Sequence, residues 1–348
     1  MDIQKIIEYL KGYDGPEIKL MEVCGTHTAS IFKNGIRSLI SPKIKLISGP
    51  GCPVCVTPAA YIDKCIEYAM MPDHQLLSFG DMLKVPGTED SLSSAKGKGA
   101  RVRLMYSPFE ALELAEKDPD TVYTIAAVGF ETTVPSYGLL VKQAAEQGVK
   151  NIKLVTALKT IMPALEWICE NEPDIDGFIC PGHVSVIIGS HVYEELAGKY
   201  NKPFVVAGFE AEHILAVIYD IVRQLERGEG HVKNLYKNAV KDDGNLKAQQ
   251  VIAECFEPGQ AVWRGLGSIP GSGLYLRDEY SVYDGGSKGL DKDLELPEGC
   301  QCASVITGRK NPDECPMFGT GCDPVHPFGP CMVSAEGACG IWFRNKRS

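Results

Sequence analysis

IKLMEVCGTHTASIFKNGIRSLI, residues 18–40, places a short apolar run, a Cys-Gly loop and a stretch of helical period in immediate succession. Five or six apolar positions suit a buried strand better than a helix, and a polar loop of small residues suits the turn from strand into helix. The order recurs along the chain. KLIS at 45–48 leads through GPGCPVC into TPAAYIDKCIEYAM, and TVYTIAAV at 121–128 leads through GFETT into VPSYGLLVKQAAEQG. Beyond residue 150, KLVT leads through ALKT into MPALEWICENE, DGFIC into PGHVS, and PFVVA through GFEAE into HILAVIYDIVRQLERG. Strands alternating with helices predict an α/β protein with parallel sheets flanked by helices.

The tripeptide Gly-Phe-Glu stands at the same place in two of these units, at 129–131 and 208–210, a weak echo between two similar domains. The expected division is 18–147 for the first α/β domain, carrying the CGTHT, CPVC and GFETT loops, and 148–265 for the second, carrying PGHVS. Near Gly265 the run GLGSIPGSG ends the alternation. The tail from 266 has loop-like composition and would bury little apolar surface by itself, so it needs a cluster or cross-links to hold it.

Composition narrows the function. With 44% hydrophobic and 23% charged residues the 348-residue chain is globular rather than disordered or fibrous. The apolar run from Gly177 to Tyr193 is interrupted by Pro181, His183 and His191, and the first residues lack a secretory core, so a cytoplasmic protein without a membrane span is expected. A net charge of −10 without a long basic run argues against nucleic acid. Thirteen cysteines are too few for a disulfide scaffold and point to metal or redox chemistry.

In parallel sheets, ligands bind beyond the carboxyl ends of strands, where loops enter helices. Cys24 and His27 occupy one such loop, Cys52 and Cys55 another, Glu131 and Thr132 a third, and His183 a fourth. A helix N-terminus favours a thiolate, so Cys24 is expected to have a lowered pKa and to serve as nucleophile or metal ligand. Cys52-Pro-Val-Cys55 fits a redox disulfide or a metal grip, and Cys24, His27, Cys52 and Cys55 together could also hold zinc. Cys65, Cys169 and Cys255 lie in helical stretches and read as core. The tail carries Cys300, Cys302, Cys315, Cys322, Cys331 and Cys339 without paired C-x-x-C knuckles. Six thiols among Gly and Pro turns suit an iron–sulfur cluster, which needs four and leaves two; spacing does not say which four. No Gly-rich loop ending in Gly-Lys-Ser/Thr is present, so no ATPase activity is assigned.

Taken together, CGTHT, GPGCPVC, GFETT, PGHVS and the tail CPMFGTGCDPVHPFGPCMVSAEGAC, residues 315–339, resemble the HypD family of hydrogenase maturation factors across essentially the whole chain. The resemblance implies a scaffold on which the iron of a nickel–iron hydrogenase acquires two cyanides and one carbon monoxide, the Fe(CN)2CO unit. It implies a third domain formed by 266–348 with 1–17, holding a 4Fe-4S cluster through Cys300, Cys315, Cys322 and Cys339, with Cys302 and Cys331 as a nearby disulfide. Cys24, Cys52 and Cys55 would hold the transient iron, His27 would orient a ligand or move a proton, and Glu131, Thr132 and His183 would line the cleft. Partners implied are a HypC-type chaperone and HypE, the cyanide donor. The rival reading of the same residues is a stand-alone thiol–disulfide reductase of the ferredoxin:thioredoxin reductase type.

Overall fold

The computed structural model describes residues 2–293 and 298–346. Eleven strands are present among them: β1 Ile18–Glu22, β2 Ile44–Ser48, β3 His74–Ser78, β4 Val102–Leu104, β5 Val122–Gly129, β6 Ile152–Lys159, β7 Gly177–Cys180, β8 Phe204–Val206, β9 Val232–Asn234, β10 Phe256–Trp263 and β11 Gly267–Leu276. They form two sheets. The first has the order β2-β1-β7-β8-β9 and the second β10-β11-β6-β5-β3-β4. Every pairing of the first sheet is parallel, as are those linking β4, β3, β5 and β6 in the second. The mixed α/β class with largely parallel sheets and flanking helices is therefore observed.

Strand membership departs from the expected division at residue 148. β1 and β2 precede that point, yet β1 pairs with β2 on one side and with β7 on the other, Leu20 to Gly177 and Met21 to Phe178. β6 follows it yet pairs with β5 from Tyr123 to Gly129. A periodicity reading sees each strand with its own helix and carries no term for which distant strand it will pair with. The expected end of the alternation at 265 also moves. Glycines suggested a loop there, but Gly265 and Gly267 supply positive φ values of 86° and 83° at the turn of a hairpin, and β11 extends the second sheet by pairing antiparallel with β6.

The alternation of side chains along these strands sorts them into cores. Leu20, Ile179 and Val205 of the first sheet pack under the helix Ala211–Glu226, while Ile125, Leu154 and Leu274 of the second pack with the helix Val134–Gln147. The opposite faces contribute Met21, Phe178, Ala126 and Val155 to one shared core, which also takes in Cys52, Cys55, Cys302 and Cys331. Cys65, Cys169 and Cys255 are buried as read from sequence. No helix among the described residues is long and apolar enough to cross a membrane.

The interleaved topology has a direct consequence for truncation. A fragment ending at residue 147 leaves β1 without β7 and β5 without β6, exposing unpaired strand edges. It is expected to lack dispersed amide NMR signals and to aggregate, whereas independently folded halves would give a well-dispersed spectrum.

Candidate functional site

Cys24 follows the end of β1 and is the N-cap of the helix Gly25–Lys33. The loop from β2 reaches it because Gly51 has no side chain: a Cβ there would lie 2.6 Å from the Cys24 nitrogen. This contact carries Cys52 and Cys55 in beside Cys24, and the two are joined as a disulfide. The lowered Cys24 pKa expected at a helix N-terminus is not found. Burial pushes the thiol up to about 11, against the N–H groups of Thr26 and His27 that favour its anion. Cys24 is only 8% exposed, and loss of water outweighs the helix end.

His27 is fully buried and donates from Nε2 to the carbonyl of Gly208 at 3.1 Å. Burial drives its pKa down to about 4, so the ring is neutral, and Nδ1 has no partner among the described residues. The Phe209 ring lies between the imidazoles of His27, at 4.9 Å, and His183, at 4.2 Å. His183 is exposed, so this stack runs from the buried site to the surface. With Cys52 and Cys55 bonded to each other and His27 tied to Gly208, the four residues do not form the zinc tetrahedron considered from sequence. Among the described residues no three His, Cys, Asp or Glu side chains close on one metal ion.

Glu131 is buried and Thr132 exposed. One Glu131 oxygen accepts from the Ile161 N–H at 2.8 Å, the other has no partner among the described residues, and burial pushes the carboxyl up to about 7. Tyr193, which the motifs did not indicate, shares a 2.9 Å hydrogen bond with Ser185 of the PGHVS turn. Burial raises its phenol, and Cys180, Glu131 and Cys24 are all close enough to add to that effect.

A second buried carboxyl was also missed. Glu22 accepts from the hydroxyls of Thr28 and Ser48, each at 2.6 Å, and so ties the helix after Cys24 to the end of β2. Burial raises it to about 7. The available signal was a glutamate directly after the apolar pair Leu20-Met21 at the end of a strand.

All six tail cysteines line one cavity, whose other walls include Val305, Met317, Phe318 and Met332. An apolar, thiol-rich enclosure suits a cluster held by four thiolates. The Cys302 and Cys331 thiols are in contact, unbonded and buried. Cys331 also lines a second cavity, together with Cys52, Cys55, Gly25, Thr28 and Ser48.

The model of the hydrogenase formation hypA family, HypD, matches residues 2–346. The chain is 40% identical to the hydrogenase maturation factor HypD of Rhodobacter capsulatus over 351 residues, covering 99% of this chain and 93% of that protein. It is similar to the factor of the same name from Escherichia coli K12, 40% identical over 95% of this chain and 90% of the relative. To that of Azotobacter vinelandii it is 41% identical over 94% and 89% respectively.

Glu22 generates a pH prediction. Its folded pKa of about 7 stands above the ordinary 4.5, so the stability it contributes is complete below pH 4.5 and lost as pH rises through 7. Glu22→Gln keeps groups for both hydroxyls and is expected to remove roughly 3 kcal/mol of that loss. Urea unfolding of wild type and variant at pH 5 and pH 8 checks it, and parallel losses in the two proteins would refute it.

Proposed function

This chain belongs to the HypD family of hydrogenase maturation factors, and from that premise we propose that it is the thiol scaffold on which the Fe(CN)2CO unit of a nickel–iron hydrogenase is built. The observation that carries this reading is that Cys331 lines both the six-cysteine cavity and the cavity beside the Cys52–Cys55 disulfide. A scaffold for this cargo must deliver electrons as well as ligands. If cyanide arrives as a thiocyanate on a HypE-type donor, its release as cyanide breaks the S–C bond and consumes two electrons. A dithiol supplies them on closing to a disulfide: thiocyanate plus two thiols gives donor thiol, iron-bound cyanide, one proton and the disulfide. Cys52 and Cys55, close enough to bond to each other, are the pair assigned to that step.

In the oxidised state seen here, Cys52–Cys55 must be reopened before each transfer. Exchange with the Cys302/Cys331 dithiol does this, passing two electrons and two protons from one pair to the other. Cys300, Cys315, Cys322 and Cys339 would hold the 4Fe-4S cluster, which supplies one-electron chemistry when bound. The iron cargo is soft once it carries cyanide and carbon monoxide, and thiolates hold such a centre. Cys24 is the residue assigned to it, with a thiol of Cys52 or Cys55 and, across the cleft, a cysteine of a HypC-type chaperone. Cys24 is a protonated thiol in the buried site, and metal binding is what displaces its proton. Neutral His27, whose Nδ1 has no partner among the described residues, can accept a hydrogen bond and orient a ligand. Glu131, Thr132 and His183 are assigned to line the approach to the iron, Thr132 and His183 from the exposed side.

The test is an infrared spectrum of the protein isolated without oxygen together with its chaperone. Bands in the cyanide and carbon monoxide stretching region are expected, and Cys24→Ala is expected to abolish them while leaving iron and sulfide of the cluster in place. A brown, loaded protein without such bands would return the function to a stand-alone thiol–disulfide reductase. A separate measurement addresses the relay. Cys331→Ser should keep the cluster but leave Cys52–Cys55 closed after dithionite treatment, read by mass-mapped thiol alkylation.

A further inference from the structure

The disulfide between Cys52 and Cys55 is not symmetric. The Cys55 N–H donates to Cys52 Sγ at 3.1 Å, sharing its hydrogen with the carbonyl of Cys52, also at 3.1 Å. The chain itself holds this donor in place, because the N–H of Val56 donates to the same carbonyl at 3.3 Å and closes the turn. Of the two bonded sulfurs, Cys52 Sγ is the one that accepts a hydrogen bond among the described residues. Exposure does not separate them, since Cys52 is 5% exposed and Cys55 2%.

The other pair is unequal in a different way. Cys302 and Cys331 both line the six-cysteine cavity, but only Cys331 also lines the space beside the disulfide. Attack on the disulfide therefore falls to Cys331, and Cys302 is left to resolve what forms. When a thiolate attacks one sulfur of a disulfide, the other departs as an anion, and it departs faster the better its charge is met. An N–H aimed at a sulfur is worth more once that sulfur is charged.

We propose that the relay has a fixed direction at this bond: Cys331 attacks Cys55 Sγ, and Cys52 Sγ leaves. The inference rests on the relay reading above. In the first step the Cys331–Cys55 bond forms and the Cys52–Cys55 bond breaks. The electron pair of the broken bond goes to Cys52, which then takes the proton given up by Cys331. In the second step Cys302 attacks Cys331, the Cys331–Cys55 bond breaks, and Cys55 takes the electron pair and the proton of Cys302. One disulfide has become two thiols and two thiols a disulfide, so no further reductant enters. The sulfur freed first belongs to the residue after Gly51, which lies against the backbone of Cys24.

Cys302→Ser removes the resolving thiol and stops the sequence after its first step. The full chain carrying this substitution is loaded with iron and sulfide without oxygen, incubated, and capped with N-ethylmaleimide. The unreduced digest is then read by mass spectrometry, with fragmentation at Pro53 telling Cys52 from Cys55. Cys331 bonded to Cys55, with Cys52 capped, is expected to exceed the opposite linkage by about tenfold, the bias that one hydrogen bond to a charged sulfur gives. Equal amounts, or an excess of Cys331 bonded to Cys52, overturn the inference and leave the relay standing. A loaded chain in which Cys331 is joined to neither sulfur sinks the relay and the inference together. Should Cys302→Ser fail to fold or load, Cys302→Ala is read in the same way.

Discussion

A side chain on Gly25 would strike the carbonyl of Glu336 at 2.3 Å, one on Gly51 would strike the backbone of Cys24, and one on Gly337 would strike the carbonyl of Cys331 at 2.2 Å. Three loops bearing cysteines, far apart in the chain, meet only because no Cβ stands between them. Asp81 adds to the closure by accepting from Ser334 and from the N–H of Ala335, both at 3.2 Å. The tail is thus pressed onto the ends of both sheets, and the thiols of the CPVC loop and of the tail border a common space.

Dryness is the second consequence of that closure. Burial holds Cys24 as a thiol, holds Glu22 and Glu131 near neutrality and strips His27 of its proton. A site so poor in charge is unsuited to unassisted nucleophilic attack, because forming a bare thiolate in it is costly. It is suited to a metal that brings its own charge and replaces the proton.

Much of the site was legible in advance, for chemical reasons. Cysteines at strand-to-helix loops are costly to misplace and few in kind, so CGTHT, GPGCPVC and the tail marked themselves. Glu22 and Tyr193 did not, because a lone glutamate or tyrosine is ordinary in any sequence and acquires meaning from what surrounds it. The expected thiolate at Cys24 failed for a related reason: a helix N-terminus is a local feature that a sequence displays, whereas desolvation comes from distant segments such as the loop at Glu336.

The sequence by itself determined the strands and helices of each repeating unit, the loops at which chemistry would gather and the family to which the chain belongs. These follow from interactions between near neighbours, where a period of two or of 3.6 residues leaves its mark directly on the order of side chains. Only the tertiary structure decided that β1 and β2 join β7 to β9, that β10 and β11 close the edge beside β6, and that Cys331 faces two cavities at once. Those choices are made by pairing and packing between segments more than a hundred residues apart, and the energy that selects them resides in surfaces that do not exist until both partners have folded.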